Sequence, residues 1–280
     1  MKKKIDSVHH SDAPVTATDS SDKSGRPLSD YAFTGLTLII FATNETDSLV
    51  RTVTTFVEGC KKEDLSEIVI VYPDFVTDEC LTTAEGLRDT YAAVPVTLLR
   101  QEKRGFGAGA KQALAGVTSS HVMMTDADWS HDFSVVPGMI EIVKVNPEAI
   151  CKFSRRMTRD SFHNYSKVRY LFNSLAQVFL KALYGNRCTD MTDAGQIAPS
   201  KILKSIRWKE DGYAFLIELV LRPMRLGCRY IEVPADCYGR AQGVSRNSAL
   251  CKIGYLKQAL IIRATPPKKI APSLFIKEQT

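Results

Sequence analysis

Two aspartates separated by one residue give the clearest chemical signal in the sequence. Asp126 and Asp128 follow a short apolar run that begins at His121. Two carboxylates spaced in this way at the end of a strand can share one hard divalent cation, and Mg²⁺ or Mn²⁺ prefers oxygen ligands. An ion held there would neutralise a diphosphate leaving group. The alternative is a solvated turn, since short aspartate pairs also arise by chance.

Basic residues cluster in the middle of the chain, at Lys152, Arg155, Arg156, Arg159, Lys167 and Arg169. Arginine forms charge-assisted hydrogen bonds that suit phosphate groups. A solvated basic face is an equally open interpretation. The loop from Arg240 to Arg246, which includes Ser245, carries a glycine between two arginines and offers a second place where a phosphate could bind.

Three further carboxylates and a glycine-rich turn are candidates with structural alternatives. Asp190 and Asp193 lie in a polar turn, where either could act as a general base for an incoming hydroxyl. Aspartates of this kind more often only form the turn. Glu218 interrupts an apolar helix and therefore needs a partner or water. The segment Gly105–Gly109 could cradle phosphate on its backbone N–H groups, but close packing of a helix on the sheet is the favoured interpretation.

The elements that must position these residues alternate between strands and helices. Apolar runs that predict strands occupy Leu36–Phe41, Ile68–Tyr72, Val96–Leu99 and His121–Thr125. They lack polar alternation, which is typical of strands buried on both faces of a parallel sheet. Such strands, alternating with helices, predict a doubly wound α/β domain whose ligands bind at the carboxyl ends of the strands. Asp126 and Asp128 lie at such an end.

The second half of the chain is predicted to contain two long helices and two short strands. The helices span 164–184 and Tyr213–Leu226, and the strands Gln196–Pro199 and Tyr230–Val233. The first helix carries an apolar stripe that includes Leu171, Leu175 and Val178.

Composition sets the domain limits and excludes several classes of protein. Residues 1–34 are predicted to form a disordered tail, 35–264 the α/β domain, and 265–280 a loose C-terminal tail. The net charge of +6 fits an anionic substrate or membrane surface, and without a long basic tract no nucleic-acid partner is expected. Scattered cysteines without a CxxC pair predict reduced thiols and a cytoplasmic location. Neither a signal peptide nor a membrane-spanning helix is predicted.

In their order along the chain, these pieces resemble family 2 glycosyltransferases of the GT-A type, in the branch of dolichyl- and polyprenyl-phosphate sugar synthases. The matching segments are Asn44-Glu45, Gly105-Phe106-Gly107, Asp126-Ala127-Asp128, Ser154-Arg155, Asp190–Gly195, Gly212–Phe215 with Glu218, and Glu232-Val233-Pro234 followed by Arg240–Ser245. The last two, E-V-P and then R-x-x-G-x-S, are the most specific.

The resemblance implies a mostly parallel central sheet flanked by helices, and an inverting transfer of a sugar from a GDP- or UDP-sugar. The implied acceptor is a polyprenyl or dolichyl phosphate or a glycan intermediate. The implied roles fall on these residues: Asp126 and Asp128 bind Mg²⁺ or Mn²⁺; Glu45, Asp74 and Asp126 face the donor; Arg155, Arg169, Arg240 and Ser245 bind phosphate; Asp190 and Asp193 are candidate bases.

A lipid acceptor would require contact with a membrane surface or a membrane partner protein, and thus peripheral attachment to the cytosolic face of a membrane. The stretch Ala249–Arg263 has apolar and basic residues at helical spacing and could lie in such an interface. An ordinary helix packed on the domain is the favoured alternative. The sequence does not predict the oligomeric state.

Departures from the family pattern keep other functions open. The family's second strand ends in V-D-D-G-S, whereas here Asp74 or Asp78 alone could replace that aspartate pair. Trp129-Ser130-His131 also differs from the family's residues and makes Ser130 a candidate third metal contact. A non-catalytic homologue that binds a nucleotide sugar or a partner is the first alternative. A sugar nucleotidyltransferase is less favoured, because its G-x-G-[ST]-R-L turn is missing.

Overall fold

The computed structural model describes residues 31–91, 93–238 and 249–275, with side chains in the last segment described from Gly254 onward. Arg240 and Ser245, both predicted to bind phosphate, lie outside the described residues. The strands are β1 (Leu36–Phe41), β2 (Leu65–Tyr72), β3 (Val96–Arg100), β4 (His121–Asp126), β5 (Ile150–Ser154), β6 (Phe162–His163), β7 (Gln196–Pro199), β8 (Tyr230–Pro234) and β9 (Cys237–Tyr238).

Helices connect most of these strands. They are α1 (Asp47–Gly59), α2 (Asp78–Thr90), α3 (Phe106–Gly116), α4 (Val136–Val145), α5 (Lys167–Tyr184), α6 (Ser200–Ser205), α7 (Phe215–Arg225), α8 (Ala249–Ala264) and α9 (Pro267–Ile270). Short 3₁₀ turns lie at Lys62–Asp64, Phe133–Val135 and Pro272–Phe275. Within this described part, no helix is both long and apolar enough to cross a bilayer.

The central sheet has seven strands in the order β3-β2-β1-β4-β7-β5-β8. Strand β7 runs antiparallel to both of its neighbours, and the other pairs are parallel. The prediction of a mostly parallel α/β sheet flanked by helices is therefore confirmed. The short strands β6 and β9 pair separately.

The side chains of β1 alternate between the two faces of the sheet, and both faces are covered by helices. All six of its residues are buried. Leu38 and Ile40 belong to the apolar cluster that includes α1, α2 and α4. Ile39 and Phe41 belong to the opposite cluster, which includes α3, α5, α6, α7 and α8. A strand with both faces covered needs apolar residues at every position, as its sequence provides.

The chain ends differ in part from the predicted domain limits. Tyr31 is buried in one core cluster and Phe33 lies against the His121 ring, so packing begins inside the segment predicted as a tail. The prediction of a loose tail from residue 265 is wrong as far as residue 275. Ile270 is fully buried, and its carbonyl accepts a hydrogen bond of 2.7 Å from the Arg207 amide. Burial of Ile270 therefore packs this segment on the domain despite its Pro- and Lys-rich composition.

Candidate active site

The predicted site residues meet at one edge of the sheet. The parallel strands β1, β2, β4 and β5 all end at this edge, and their connecting loops carry Glu45, Asp74, Asp128 and Arg155. Because β7 is antiparallel, the turn that precedes it reaches the same edge and brings Asp190 and Asp193 there. The topology thus assembles residues that are up to about half of the chain apart.

The aspartate pair lies where β4 leaves the sheet. Asp126 is paired with Phe41 of β1, and Asp128 is 2% exposed, with its Oδ1 accepting a 3.1 Å hydrogen bond from the Ser130 amide. Trp129, which lies between Asp128 and Ser130, has a φ of 53°, in the left-handed region that is rare for bulky residues. The Arg51 guanidinium lies 4.1 Å above the Trp129 ring and holds it in place. Packing therefore maintains an uncommon turn beside the two carboxylates.

These carboxylates fit a hard divalent ion that is shared with a substrate. Asp126 is partly exposed and Asp128 is buried, and both offer only oxygen ligands. Among residues 31–91, 93–238 and 249–275, no three His, Cys, Asp or Glu side chains converge on a metal position. Mg²⁺ commonly takes only one or two carboxylates and completes its shell with water and substrate phosphates. The donor set therefore suits a metal–diphosphate complex better than a closed structural site.

A buried ion-pair cluster lies beside the aspartate pair. Arg155 contacts Asp190 through Nε and Oδ2 at 2.7 Å and through Nη2 and Oδ1 at 3.0 Å. Its Nε is also 3.2 Å from Oδ2 of Asp193. Burial acts to raise the pKa of Asp190, but the charge of Arg155 outweighs it and lowers the pKa to about 2. The same competition, with His131 and Arg155 as the favourable charges, lowers the pKa of Asp193.

Three neighbouring elements fix the turn that carries Asp190. The Glu232 carboxylate of β8 accepts hydrogen bonds from the amides of Thr189 and Asp190, at 2.6 and 3.0 Å. The Gln177 side chain of α5 bonds to the Thr189 carbonyl and the Met191 amide, both at 2.8 Å. Lys152 of β5 donates to the Asp190 carbonyl. These bonds satisfy polar groups that burial would otherwise leave unpaired.

This cluster corrects three predictions. Arg155 is 6% exposed with its guanidinium held by two carboxylates, so it does not present a free cation to an acceptor phosphate. Asp190 and Asp193 are buried, ion-paired and low in pKa, which makes them weak bases. Lys152 is fully buried and bonded to backbone carbonyls, so it is not part of a solvated basic face.

His131 is the residue that the sequence interpretation missed. Its Nε2 lies 2.8 Å from Oδ2 of Asp193, and its Nδ1 lies 3.2 Å from the Ser130 hydroxyl. Burial acts to lower its pKa, while the charge and hydrogen bond of Asp193 raise it, and the net result is a raised pKa. His131 therefore joins the aspartate-pair segment to the buried ion pairs. The sequence signal that could have identified His131 is its position three residues after Asp128.

A cavity of about 490 Å³ opens where β2 and β3 end. Its lining residues are Asp74, Arg100, Gln101, Glu102 and Arg104. The Asp74 carboxylate is held by Arg104, with Nε–Oδ1 at 3.0 Å and Nη2–Oδ2 at 2.8 Å, and this hydrogen bonding lowers the pKa of Asp74. The cavity therefore combines two arginines with two carboxylates, and because Arg104 is already paired with Asp74 its lining suits a polar ligand.

Glu45 serves the loop that joins β1 to α1. Its Oε2 accepts hydrogen bonds from the amides of Thr43 and Asn44, at 2.7 and 3.0 Å, and the residue is 6% exposed. These contacts give Glu45 a role in shaping the loop between the Asp74 cavity and the aspartate pair. Asp78, the other candidate for the missing aspartate pair, lies in the first turn of α2.

A second cavity, of about 570 Å³, opens beyond the end of β5. We call it the basic cavity; its lining residues are Arg155, Arg156, Thr158, Arg159, Asp160, Ser161, Phe162, Tyr165, Lys167 and Tyr170. The guanidinium of Arg156 lies 5.8 Å from the Phe162 ring and 5.9 Å from the Tyr170 ring. Its Nε is buried and has no hydrogen-bond partner among the described residues. Arg169 is exposed on α5 and does not line this cavity.

The glycine-rich turn packs against protein and does not stand open for phosphate. A Cβ on Gly105 would meet the Asp211 carbonyl oxygen at 2.3 Å, and one on Gly107 would meet the Glu210 carbonyl oxygen at 2.5 Å. The Ala108 amide donates to that Asp211 carbonyl at 3.0 Å. Close packing instead of a phosphate cradle is thus confirmed, but these two glycines pack on the loop that contains Glu210 and Asp211 and not on the sheet as predicted.

Glu218 has the partners that its burial requires. It is fully buried, and its Oε1 accepts from Arg222 Nε at 2.8 Å and from Gln258 at 2.7 Å. Its Oε2 accepts from the Lys209 and Glu210 amides at 2.9 and 3.1 Å. The predicted need for a partner is confirmed, and the carboxylate holds the loop against which Gly107 packs.

Comparison with known proteins agrees with this arrangement. The model of the family "Glycosyl transferase family 2" matches residues 37–205, more than half of the chain. An undecaprenyl-phosphate mannosyltransferase from Micrococcus luteus is 28% identical over 217 residues, covering 75% of this chain and 86% of the relative.

Solved structures of similar fold include glucosyl-3-phosphoglycerate synthase from Mycobacterium tuberculosis. Its complex with Mn²⁺, UDP and phosphoglyceric acid has a TM-score of 0.62 at 18% identity, covering 85% of this chain and 81% of that chain. Its complex with Mg²⁺ and UDP has a TM-score of 0.61 at 18% identity, covering 85% and 82%. The sheet order, the aspartate pair at the end of β4 and the family match together lead to one conclusion: the chain is a glycosyltransferase with the GT-A fold and belongs to glycosyl transferase family 2.

Proposed function

We propose that the protein is a metal-dependent, inverting glycosyltransferase that moves a sugar from a UDP- or GDP-sugar to a lipid phosphate of the polyprenyl or dolichyl type. The observation that carries the proposal is the order of features along one edge of the sheet. The Asp74 cavity lies at β2 and β3, the aspartate pair at β4, and the basic cavity beyond β5. A donor and an anionic acceptor can therefore approach the same pair of carboxylates from opposite sides.

The donor is assigned to the side of the Asp74 cavity. Arg100 supplies positive charge there, and the paired Asp74 and Arg104 side chains offer polar groups to a base or ribose. The M. tuberculosis synthase structures contain UDP with Mn²⁺ or Mg²⁺, and this likeness supports a nucleoside diphosphate and a divalent ion in our protein. Asp126 and Asp128 would hold that ion. Bound in this way, it would neutralise the charge that develops on the leaving diphosphate.

The acceptor is assigned to the basic cavity. Arg156, Arg159 and Lys167 surround a space that also contains tyrosine rings, a composition that suits a phosphate group with an attached apolar chain. Arg156 lines this space, and its guanidinium would supply charge and hydrogen-bond donors to a phosphate. The M. luteus relative is an undecaprenyl-phosphate mannosyltransferase, which supports this class of acceptor.

A phosphate acceptor makes a protein base unnecessary, because its oxygen is already ionised at neutral pH. That oxygen attacks the anomeric carbon of the donor sugar as the bond from this carbon to the diphosphate oxygen breaks, which inverts the configuration. The weak basicity of Asp190 and Asp193 is consistent with this reaction. Their work is to hold Arg155 and His131, and thereby the turn beside the two metal-binding carboxylates.

Transfer assays test the proposal. UDP- and GDP-sugars carrying a labelled sugar are incubated with Mn²⁺ and either a polyprenyl phosphate or the matching polyprenol, which lacks the phosphate. We expect label to enter the lipid fraction only with the phosphate, and Asp128→Asn to abolish the transfer. Transfer to a soluble glycan instead would identify a glycan acceptor. Donor binding without transfer to any acceptor would favour a non-catalytic homologue.

A further inference from the structure

We propose that helix α5 is a membrane-docking surface that seats on an anionic bilayer. The apolar face of α5 consists of Val168, Leu171, Leu175 and Val178, which follow one another at helical spacing. Their exposed fractions lie between 58% and 67%, whereas the opposite side of the helix buries Gln177, Leu180 and Tyr184. The helix thus presents to its surroundings the residues that a soluble helix would bury.

This face contains the apolar stripe that the sequence predicts on this helix. The buried side of the helix contacts the domain through Gln177, Leu180 and Tyr184. The Tyr184 hydroxyl donates to the Ala259 carbonyl, and Arg263 Nε donates to the Leu183 carbonyl at 2.8 Å. The apolar face is exposed, while other sides of the first turns contact the domain, with Tyr170 against the Phe162 ring and Ser174 bonded to Arg156.

The positive charge of α5 favours an anionic bilayer as the binding partner of its apolar face. The helix contains Lys167, Arg169 and Lys181 and no acidic residue. A helix with aliphatic residues on one side and only cations among its charges has the composition of an interfacial helix on anionic lipid. A symmetric contact between two copies through this face would instead bring identical cationic patches together, which is unfavourable.

The position of the basic cavity supports the same occupant. Lys167 and Tyr170, in the first turn of α5, line that cavity. A bilayer in contact with the apolar face would therefore meet the cavity mouth at the level of the lipid head groups, where tyrosine rings are favourable. A phosphate carried by a membrane lipid could enter the cavity without leaving the bilayer, which deepens the proposed function by defining the route of its acceptor.

Helix α8 is a weaker candidate for this contact. It packs on the domain through Gln258, Ala259 and Ile262, which are 4%, 0% and 0% exposed. The favoured interpretation of the stretch Ala249–Arg263 as a helix packed on the domain is therefore confirmed for the part whose side chains are described. Leu260 and Ile261 are about half exposed beside the end of α5 and can extend the contact but not replace it.

Vesicle co-sedimentation of the full chain tests the inference without any sugar donor. The vesicles contain phosphatidylcholine alone or with phosphatidylglycerol. We expect binding to the anionic vesicles, weaker binding to the neutral ones, and at least about tenfold weaker binding by the double variant Leu171→Gln/Leu175→Gln. The matched control is Val145→Gln, since Val145 is 81% exposed on α4 and should not contribute.

Absence of wild-type binding, or equal binding by the double variant, would overturn the inference. So would a dimer that the double variant dissociates, combined with no vesicle binding, because a second copy would then cover the face. Thermal unfolding of both variants confirms that they fold. The inference and the proposed function fail separately: transfer of label in detergent without vesicle binding removes only the docking surface, and vesicle binding without transfer removes only the proposed reaction.

Discussion

The His131 imidazole lies with Nε2 2.8 Å from Oδ2 of Asp193, and this contact joins the aspartate-pair segment to the buried Arg155 cluster. Asp193 also forms an ion pair with Arg155 at 3.2 Å, so one carboxylate links the segments that follow β4 and β5. The Asp190 turn and the turn that carries the aspartate pair are consequently held as one unit. Changes at His131 or Arg155 should therefore affect stability as well as activity.

The pH dependence of stability should reveal the His131–Asp193 contact. The folded pKa of His131 is raised above 6.5, so the contact stabilises the protein fully below the unfolded pKa and is lost as pH rises through the folded pKa. As the pH rises above about 6.5, we expect the free energy of unfolding to fall more steeply in the wild type than in His131→Gln. Urea unfolding across this range measures both slopes.

Other groups should not produce the same slope in that range. Burial lowers the pKa of His121 to about 4, so its contribution changes between about 4 and its unfolded value, below the range, and has the opposite sign. Burial raises the pKa of the Cys80 thiol to about 11, so unfolded thiols affect stability only as pH approaches their unfolded pKa near 9.0. Equal slopes in the two proteins would contradict the assigned role of the contact.

Removal of Arg155 should destabilise the protein strongly. Arg155→Met leaves the buried Asp190 without its cation and Asp193 with His131 alone, and breaking such a buried pair costs about 3–5 kcal/mol. The control Arg88→Met removes a cation from the exposed pair with Asp89, where the side chains are 51% and 74% exposed, and should cost less than about 0.5 kcal/mol. Denaturant unfolding compares the two, and a similar small loss for both would show that the cluster does not support the fold.

Two glycines of α3 should respond to alanine in opposite directions. A Cβ on Gly107 would meet the Glu210 carbonyl oxygen at 2.5 Å and the Phe215 Cβ at 2.7 Å, so Gly107→Ala should destabilise by about 1–3 kcal/mol. Gly116, in the same helix, has nothing within 4 Å of that position, so Gly116→Ala should stabilise by about 0.4–1 kcal/mol. Thermal unfolding gives the signs, and a neutral Gly107→Ala would contradict the close packing.

The Asp74 cavity should be tested through Arg104. Charged hydrogen bonds contribute about 1.5–3 kcal/mol, so Arg104→Gln should weaken nucleotide-sugar binding by at least about tenfold while leaving the aspartate pair intact. Lys103→Gln is the control, because Lys103 bonds to Asp211 and does not line the cavity. Equilibrium dialysis with labelled donor measures both, and unchanged affinity in Arg104→Gln would place the donor elsewhere.

Local sequence patterns predicted the first half of the fold well. The strand predicted at Leu36–Phe41 has the same bounds as β1, and the runs at Ile68, Val96 and His121 all became strands. Continuous apolar runs carry this information because both faces of a central strand are covered. The antiparallel direction of β7 could not be predicted, since four residues, Gln196–Pro199, do not encode which way a strand enters a sheet.

The errors have a common physical cause: long-range contacts decide whether a charged or apolar side chain is buried and which groups it binds. Strand β5 was missed because Lys152 lies in its centre and was interpreted as part of a basic face, whereas its ammonium group caps buried carbonyls. Arg155 and Asp190 are 35 residues apart in the chain, and neither residue alone predicts their ion pair. The α5 stripe was predicted correctly as a pattern, but its direction depends on tertiary packing.

The measurement that most directly tests the central claim is calorimetric titration of UDP and GDP with and without Mn²⁺. Asp128→Asn is the matched variant, because asparagine keeps an oxygen that can accept the Ser130 hydrogen bond while losing the negative charge. We predict that Mn²⁺ increases the affinity of the wild type for one nucleotide by at least about tenfold, and that Asp128→Asn loses this increase. Equal affinity with and without Mn²⁺, or an undiminished increase in Asp128→Asn, would contradict a metal-dependent donor site at the end of β4.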